Sequence, residues 1–278
     1  MPRFTHNGAD LYYELDGSGP PAVYMIGYSG HSNGAIDTAI RQALSQHFTL
    51  LAVDNRGAGQ TVVAKDAAFT IDHMADDIAA ILDHHQMPAA HVMGISMGGC
   101  IAMTLALRHP AKVRSMVVVV SGAHVDSSIR ASFMMVTWRE MSARGVSQDL
   151  LNRYVAGIML GDEAFRDQEF IQAWINAPPD PFAQTPTGAD QQWNAIHGTV
   201  HKYDIHDQLG QITAPTLVMS SPEDIVFPPQ FQDEVAEKIP NAEIKRYPGG
   251  HLFMALPTQF PKFIEDTLEF WRKHDHSG

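Results

Sequence analysis

The chain has one cysteine, Cys100, in 278 residues, so no disulfide can close within it and no cysteine-based zinc cluster can be assembled. Such usage makes no demand for an oxidising compartment, and the expected location is the cytoplasm. Positive charge is scarce: 19 Lys and Arg stand against 31 Asp and Glu, a net charge of -12. That balance disfavours nucleic acid and anionic membrane surfaces as partners and points to a small molecule, neutral and partly apolar. No run of 18 apolar residues occurs, and the opening MPRFTHNGADLYYELDG has no basic segment followed by an apolar stretch. Neither a membrane span nor a signal peptide is therefore expected. Internal repeats and low-complexity tracts are lacking too.

What is present is a 45% hydrophobic chain, long enough for one large core that buries roughly three quarters of its unfolded surface. Asn7-Gly8 suits a tight hairpin between two opening strands. Apolar runs from Ala22 to Ile26 and from Phe48 to Val53 flank a helical pattern over Ala35 to Ser45, a strand-helix-strand crossover. Thr70 is a suitable cap for a helix whose Ile71, Met74, Ile78, Ile81 and Leu82 share one face. The strand His91 to Met93 then turns into a helix that is apolar almost all round up to Arg108, as a helix beneath a sheet must be. Met116 to Val120 reads as a central parallel strand.

From Gly122 to about Asp207 the strand pattern gives way to helical stretches near 129–143, 150–160, 164–175 and 191–202, interrupted by Ala177-Pro178-Pro179-Asp180-Pro181. Alternation resumes with a strand over Thr216 to Met219, a helix over Phe231 to Lys238, a strand over Glu243 to Tyr247 and an amphipathic helix holding Phe260, Phe263, Ile264 and Trp271. The pattern predicts one α/β domain, residues 1–121 and 208–278, with a helical lid inserted at 122–207.

The strongest chemical signal is Gly94-Ile95-Ser96-Met97-Gly98, a G-x-S-x-G sequence in a strand-to-helix setting. Such a turn lifts the serine hydroxyl above the sheet edge, and the helix starting there aims backbone N–H groups at charge developing during acyl transfer. A hydroxyl is a poor nucleophile until a base takes its proton, and the base needs a third group to fix its tautomer. His251 follows a predicted strand within Gly249-Gly250-His251, and Asp224 follows another, in the order Ser, Asp, His. Glu223 and Asp126 compete for the role of acid: one adjoins Asp224, the other follows the strand ending at Val120.

Together these motifs make the chain resemble the α/β-hydrolase superfamily over nearly its whole length. Asp54-Asn55-Arg56-Gly57-Ala58-Gly59 is similar to the D-x-R-G-x-G turn of that family, and Asp224-x-x-x-Pro228 to its acid motif. The best likeness is to lidded bacterial esterases and to enol-lactone or macrolactone hydrolases. The resemblance implies a mostly parallel sheet with helices on both faces. It also implies a Ser96–His251–Asp224 triad that cleaves an ester or lactone through an acyl-enzyme, with no cofactor and no metal. Where the family often has His-Gly after the first parallel strand, this chain has Ile26-Gly27. The implied oxyanion donors are the backbone N–H groups of Tyr28 and Met97. Carbon-carbon bond hydrolysis or cofactor-free perhydrolysis on the same triad, or a ligand receptor with a silent triad, are the rival readings.

Other residues have plainer roles. His197, His201 and His206 are spaced to lie near one helix face, but no Cys or acidic pattern completes a metal site around them. Asp54 and Arg56 suit bracing of a turn, and Cys100, one helical turn past Ser96, suits packing. Met134, Met135, Trp138, Met141, Met159 and Trp174 are read first as packing within the helical block, and only second as the lining of an apolar pocket. Ser29 or His31 could line its mouth.

Overall fold

The computed structural model describes residues 2–65, 67, 69–125, 130–198 and 202–275, with the side chains of 130 and 131 left aside. Its strands are β1 (Arg3–His6), β2 (Ala9–Asp16), β3 (Pro21–Met25), β4 (Thr49–Val53), β5 (Val62–Val63), β6 (Ala90–Ile95), β7 (Val113–Val119), β8 (Thr216–Ser220) and β9 (Ala242–Arg246). Among the described residues they form one sheet in the order β1-β2-β4-β3-β6-β7-β8-β9, with β5 paired to β2. Asn7 and Gly8, at φ 42° and 75°, make the β1–β2 turn, as expected of Asn-Gly. From β4 to β9 every pairing is parallel, which requires crossover connections.

The helices are α1 (Ala35–Leu44), α2 (Ile71–His84), α3 (Met97–Arg108), α4 (Arg130–Ala143), α5 (Gln148–Met159), α6 (Asp162–Arg166), α7 (Gln168–Ile175), α8 (Pro186–His197), α9 (Pro229–Lys238) and α10 (Phe260–Lys273). Strand alternation divides the core. Val23, Met25, Leu51, Val53 and Val92 meet α2 and α3 on one face. Ala22, Tyr24, Leu50, Ala52 and Met93 meet α1 and α10 on the other. Helix α3 lies buried from Met97 through Ala106, which is why its sequence has no polar stripe.

Helices α4 to α8 stand between β7 and β8, where the sequence predicts a helical block. Helix boundaries differ from the periodicity, and α8 ends at His197 rather than at Lys202. The pattern over 164–175 is broken at Asp167, whose carboxylate accepts the Phe170 N–H at 3.0 Å and starts a new helix. Helix α8 begins at Pro186, not near Gln191, because Thr185 Oγ1 caps it through the Gly188 N–H at 3.1 Å and proline suits the first helical position. A short apolar cluster of Ala156, Leu160, Ala164, Ile171 and Ile175 holds α5 to α7 together and meets Leu256 of the core.

One buried ion pair joins α2 to the loops above it. The Arg56 guanidinium donates to Asp77 at 2.6 and 2.9 Å and to the carbonyls of His6 and Asn7 at 3.2 Å. Both side chains are almost wholly buried, and the His6 ring contacts the same carboxylate at 2.8 Å. Arg56 and Asp77 therefore fix the Asp54–Gly59 turn on α2. Removing the carboxylate takes two charge-assisted bonds from a buried guanidinium, so Asp77→Ala is expected to lower unfolding free energy by about 3–5 kcal/mol in denaturant titration.

Candidate active site

Between β6 and α3, Ser96 adopts φ 56° and ψ -122°, a backbone region costing a side-chain-bearing residue about 1–3 kcal/mol. Its N–H donates to the Val119 carbonyl at 2.9 Å, and its carbonyl accepts from the Gly99 N–H at 2.8 Å and Ser121 Oγ at 2.7 Å. Gly94 and Gly98 are needed because backbones meet here. A methyl group on Gly94 would stand 2.1 Å from the Gly98 carbonyl oxygen, and one on Gly98 would stand 2.0 Å from that of Met25. The turn is thereby wedged against the end of β3.

The hydroxyl so presented meets a histidine and a carboxylate. Ser96 Oγ lies 2.9 Å from His251 Nε2, and His251 Nδ1 lies 2.9 Å from Asp224 Oδ2. His251 and Asp224 are buried, at 3% and 2% exposure. An ionised carboxylate only accepts, so Nδ1 carries the proton and Nε2 is left to accept from the serine. Asp224 also accepts the N–H groups of Val226 and Phe227 at 2.8 and 3.0 Å and the Gln232 amide at 2.9 Å. Four donors keep this buried carboxylate satisfied without a cation.

The alternatives for the acid stand elsewhere. Glu223 accepts from the backbone N–H groups of Gly249 and Asp162 at 3.0 and 2.8 Å, tying the histidine loop to the start of α6. Asp126 lies outside the described residues. Two further bonds join the same loop to the α5–α6 junction: Gly161 N–H to the Gly249 carbonyl and Leu252 N–H to the Met159 carbonyl, both 2.8 Å.

Tyr28 and Met97 border the same cavity as Ser96 and His251, and neither backbone N–H bonds to another described residue. The loop carrying Tyr28 is braced from two sides. Asp54 Oδ1 accepts the Ser32 N–H at 2.6 Å, and the Asn55 amide donates to the Ile26 carbonyl at 2.8 Å. From α8, Gln192 Oε1 accepts the N–H of Ser29, itself at φ 59°, at 2.9 Å, while its amide donates to the Arg56 carbonyl at 2.9 Å. Gln192 is wholly buried. Sequence reasoning missed it, because a glutamine in a polar helix gives no sign of its partner 163 residues away.

The cavity measures about 270 Å³. Met135, Trp138, Met159 and Trp193 line it, whereas Trp174 bonds to the Asn152 carbonyl and packs on Phe170 inside the helical block. Ser29 faces the cavity, and His31 turns to Asp180 at 2.7 Å. Burial pushes the Tyr28 hydroxyl up to about 12 and lowers His197 to about 4, so both are neutral at pH 7. Burial also raises Cys100 to about 11, leaving an unreactive thiol. Of the three spaced histidines, His197 lines the cavity, His201 lies outside the described residues, and His206 gathers with His124 and Asp204. Those three offer ligand atoms within 4.8 Å of one another, a geometry able to hold a cation, with Asp204 exposed.

A family model described as the alpha/beta hydrolase fold matches residues 20–256, and the chain belongs to that family of hydrolases. It is similar to a protein of Azorhizobium caulinodans named carbamate hydrolase RutD, 31% identical over 260 residues covering 91% of this chain and 92% of the relative. It is also similar to the pimeloyl-[acyl-carrier protein] methyl ester esterase of Nitrosomonas europaea, 30% identical over 266 residues covering 91% and 97%. Among solved structures, the enol-lactonase of Burkholderia xenovorans LB400 shares the fold, with TM-score 0.79, 22% identity and coverage of 98% and 100%.

The strained turn makes a prediction that does not depend on chemistry. Glycine relieves the conformation of residue 96 and alanine does not, so Ser96→Gly is expected to unfold about 1 kcal/mol less readily than Ser96→Ala. Equal midpoints in chemical denaturation would remove the strain. Gln192→Leu keeps the volume but orphans the Ser29 N–H and the Arg56 carbonyl. A destabilisation of about 2–4 kcal/mol is expected by the same measurement.

Proposed function

We propose that the chain is a serine hydrolase that cleaves a carboxylic ester or lactone through an acyl-enzyme. The observation carrying this reading is the continuous chain Asp224 Oδ2, His251 Nδ1, His251 Nε2 and Ser96 Oγ, with both links at 2.9 Å, opening on an apolar cavity. Ser96 Oγ attacks the carbonyl carbon while His251 Nε2 takes its proton. The resulting oxyanion is placed to accept from the N–H groups of Tyr28 and Met97. His251 returns the proton to the leaving oxygen, the carbon-oxygen bond breaks, and the acyl group stays on Ser96. Water, deprotonated by the same nitrogen, then releases the acid. Asp224 holds Nδ1–H and stabilises the imidazolium formed in each step.

The block 122–207 serves as a lid in this scheme. It supplies Met135, Trp138, Met159 and Trp193 to the cavity wall, and it ties down both the Tyr28 loop and the histidine loop. The named activities of the relatives, an esterase and a carbamate hydrolase, mark the bond types worth comparing.

A fluorophosphonate is expected to label Ser96 stoichiometrically and to label neither Ser96→Ala nor any other serine. Against p-nitrophenyl esters, a lactone and an aryl carbamate, the ester or lactone should turn over fastest. Asp224→Asn should lower kcat at least roughly 100-fold and Glu223→Gln by less than about tenfold. Unlabelled Ser96, or full activity in Ser96→Ala, would overturn the reading.

A further inference from the structure

Behind the loop that carries Tyr28, the same cavity reaches an acidic group that the hydrolytic scheme does not use. Asp37, in the first turn of α1, and Tyr24, on β3, both line it beside Ile36, Ile95, Leu252 and Met254. The Tyr24 hydroxyl is buried and donates to Asp37 Oδ1 at 2.5 Å. Asp37 Oδ2 accepts no hydrogen bond from a described side chain, and Asp37 makes no ion pair with a described Lys or Arg. The cation one helical turn along, Arg41, is committed to Asp16 at 2.5 Å and to the Ser32 carbonyl at 2.6 Å. Asp54, the nearby second carboxylate, is held by backbone N–H groups alone, so it adds negative potential. His31, which faces Asp37 electrostatically, has its Nε2 turned to Asp180.

Asp37 is half-buried and is one of the residues that line the cavity. Gly30 and Gly27 lie between it and the serine. A methyl group added at Gly30 would lie 3.6 Å from Asp37 Oδ2 and 3.5 Å from the Gly27 carbonyl oxygen, and one added at Gly27 would lie 3.4 Å from Ser96 Cβ. A carboxylate in an apolar wall loses hydration and needs a donor to replace it. Tyr24 supplies one to Oδ1, and no described side chain supplies one to Oδ2.

We propose that Asp37 and Tyr24 form a subsite that accepts a protonated primary amine carried on an alkyl portion of the substrate. The site then takes an ester or lactone with an apolar body and an ammonium terminus, and this assignment rests on the hydrolase reading for which end reacts. An ammonium supplies three donors and the missing positive charge, whereas a methyl terminus at the same place would leave the carboxylate desolvated and unpaired. Burial raises the carboxyl to about 6, while Tyr24 and His31 act the other way and Asp54 with burial. At pH 8 it is therefore the charged form that meets the ligand.

Calorimetry with n-hexylammonium at pH 8 tests the subsite without turnover. Binding to the parent is expected, at least tenfold weaker in Asp37→Asn, which keeps an acceptor for Tyr24. For n-hexanol, parent and Asp37→Asn should differ less than twofold. In parallel, the parent is expected to favour methyl 6-aminohexanoate over its isostere methyl heptanoate by kcat/KM, with the ratio falling at least tenfold in Asp37→Asn. No hexylammonium binding by the parent, or equal binding by parent and Asp37→Asn, would overturn the subsite. Ammonium binding of the expected pattern with neither ester hydrolysed would sustain the subsite and count against the hydrolase reading.

Discussion

The site depends on a close approach of three stretches of backbone at the top of the sheet. The end of β3, the end of β6 and the start of α3 come so near that Gly94 and Gly98 have no room for a single carbon. Within that contact Ser96 is forced to φ 56°, and the strain is sustained by the hydrogen bonds of its own N–H and carbonyl to Val119, Gly99 and Ser121. A looser junction would let the serine relax toward ordinary helical or extended angles, and its hydroxyl would leave the position 2.9 Å from His251. The same proximity brings the Tyr28 loop and the start of α3 to the border of one cavity.

The rest of the machinery is held by partners distant in sequence. The histidine loop is stitched to the α5–α6 junction by backbone bonds at Gly161 and Leu252 and by Glu223. The Tyr28 loop is clamped between the Asp54–Asn55 turn and Gln192 of α8. Helices between β7 and β8 thus support the loops as well as lining the cavity. A substitution there can disturb geometry at Ser96 without touching a ligand, since polar groups buried in such networks share their fate.

Acidic groups receive different treatment according to what surrounds them. Asp77 has an arginine and a histidine; Asp224 has peptide N–H groups, an amide and the imidazole. Asp37 has the Tyr24 phenol and lines the cavity. In a chain of net charge -12, cations are too few to neutralise every carboxylate, and dipoles take over part of that task.

Local pattern was enough to read the alternation of strands and helices, the Asn7-Gly8 turn, the buried α3 and the motif residues around Ser96, because each depends on spacing and on nearest-neighbour chemistry. The same spacing put Asp224 and His251 after strands in an order matching the fold, while Glu223 and Asp126 stayed open as acids. Boundaries drawn from periodicity alone slipped where a cap intervened, at Asp167 and Thr185. The missing motif histidine before Gly27 left the support of the Tyr28 loop undetermined by sequence. Only the tertiary structure decided that Gln192 supplies it, that Glu223 ties loops together beside an Asp224 that faces the imidazole, and that Asp37 lies in the cavity. Each of these rests on contacts between residues tens to more than a hundred positions apart or on the shape of a cavity, and neither leaves a periodic trace in the chain.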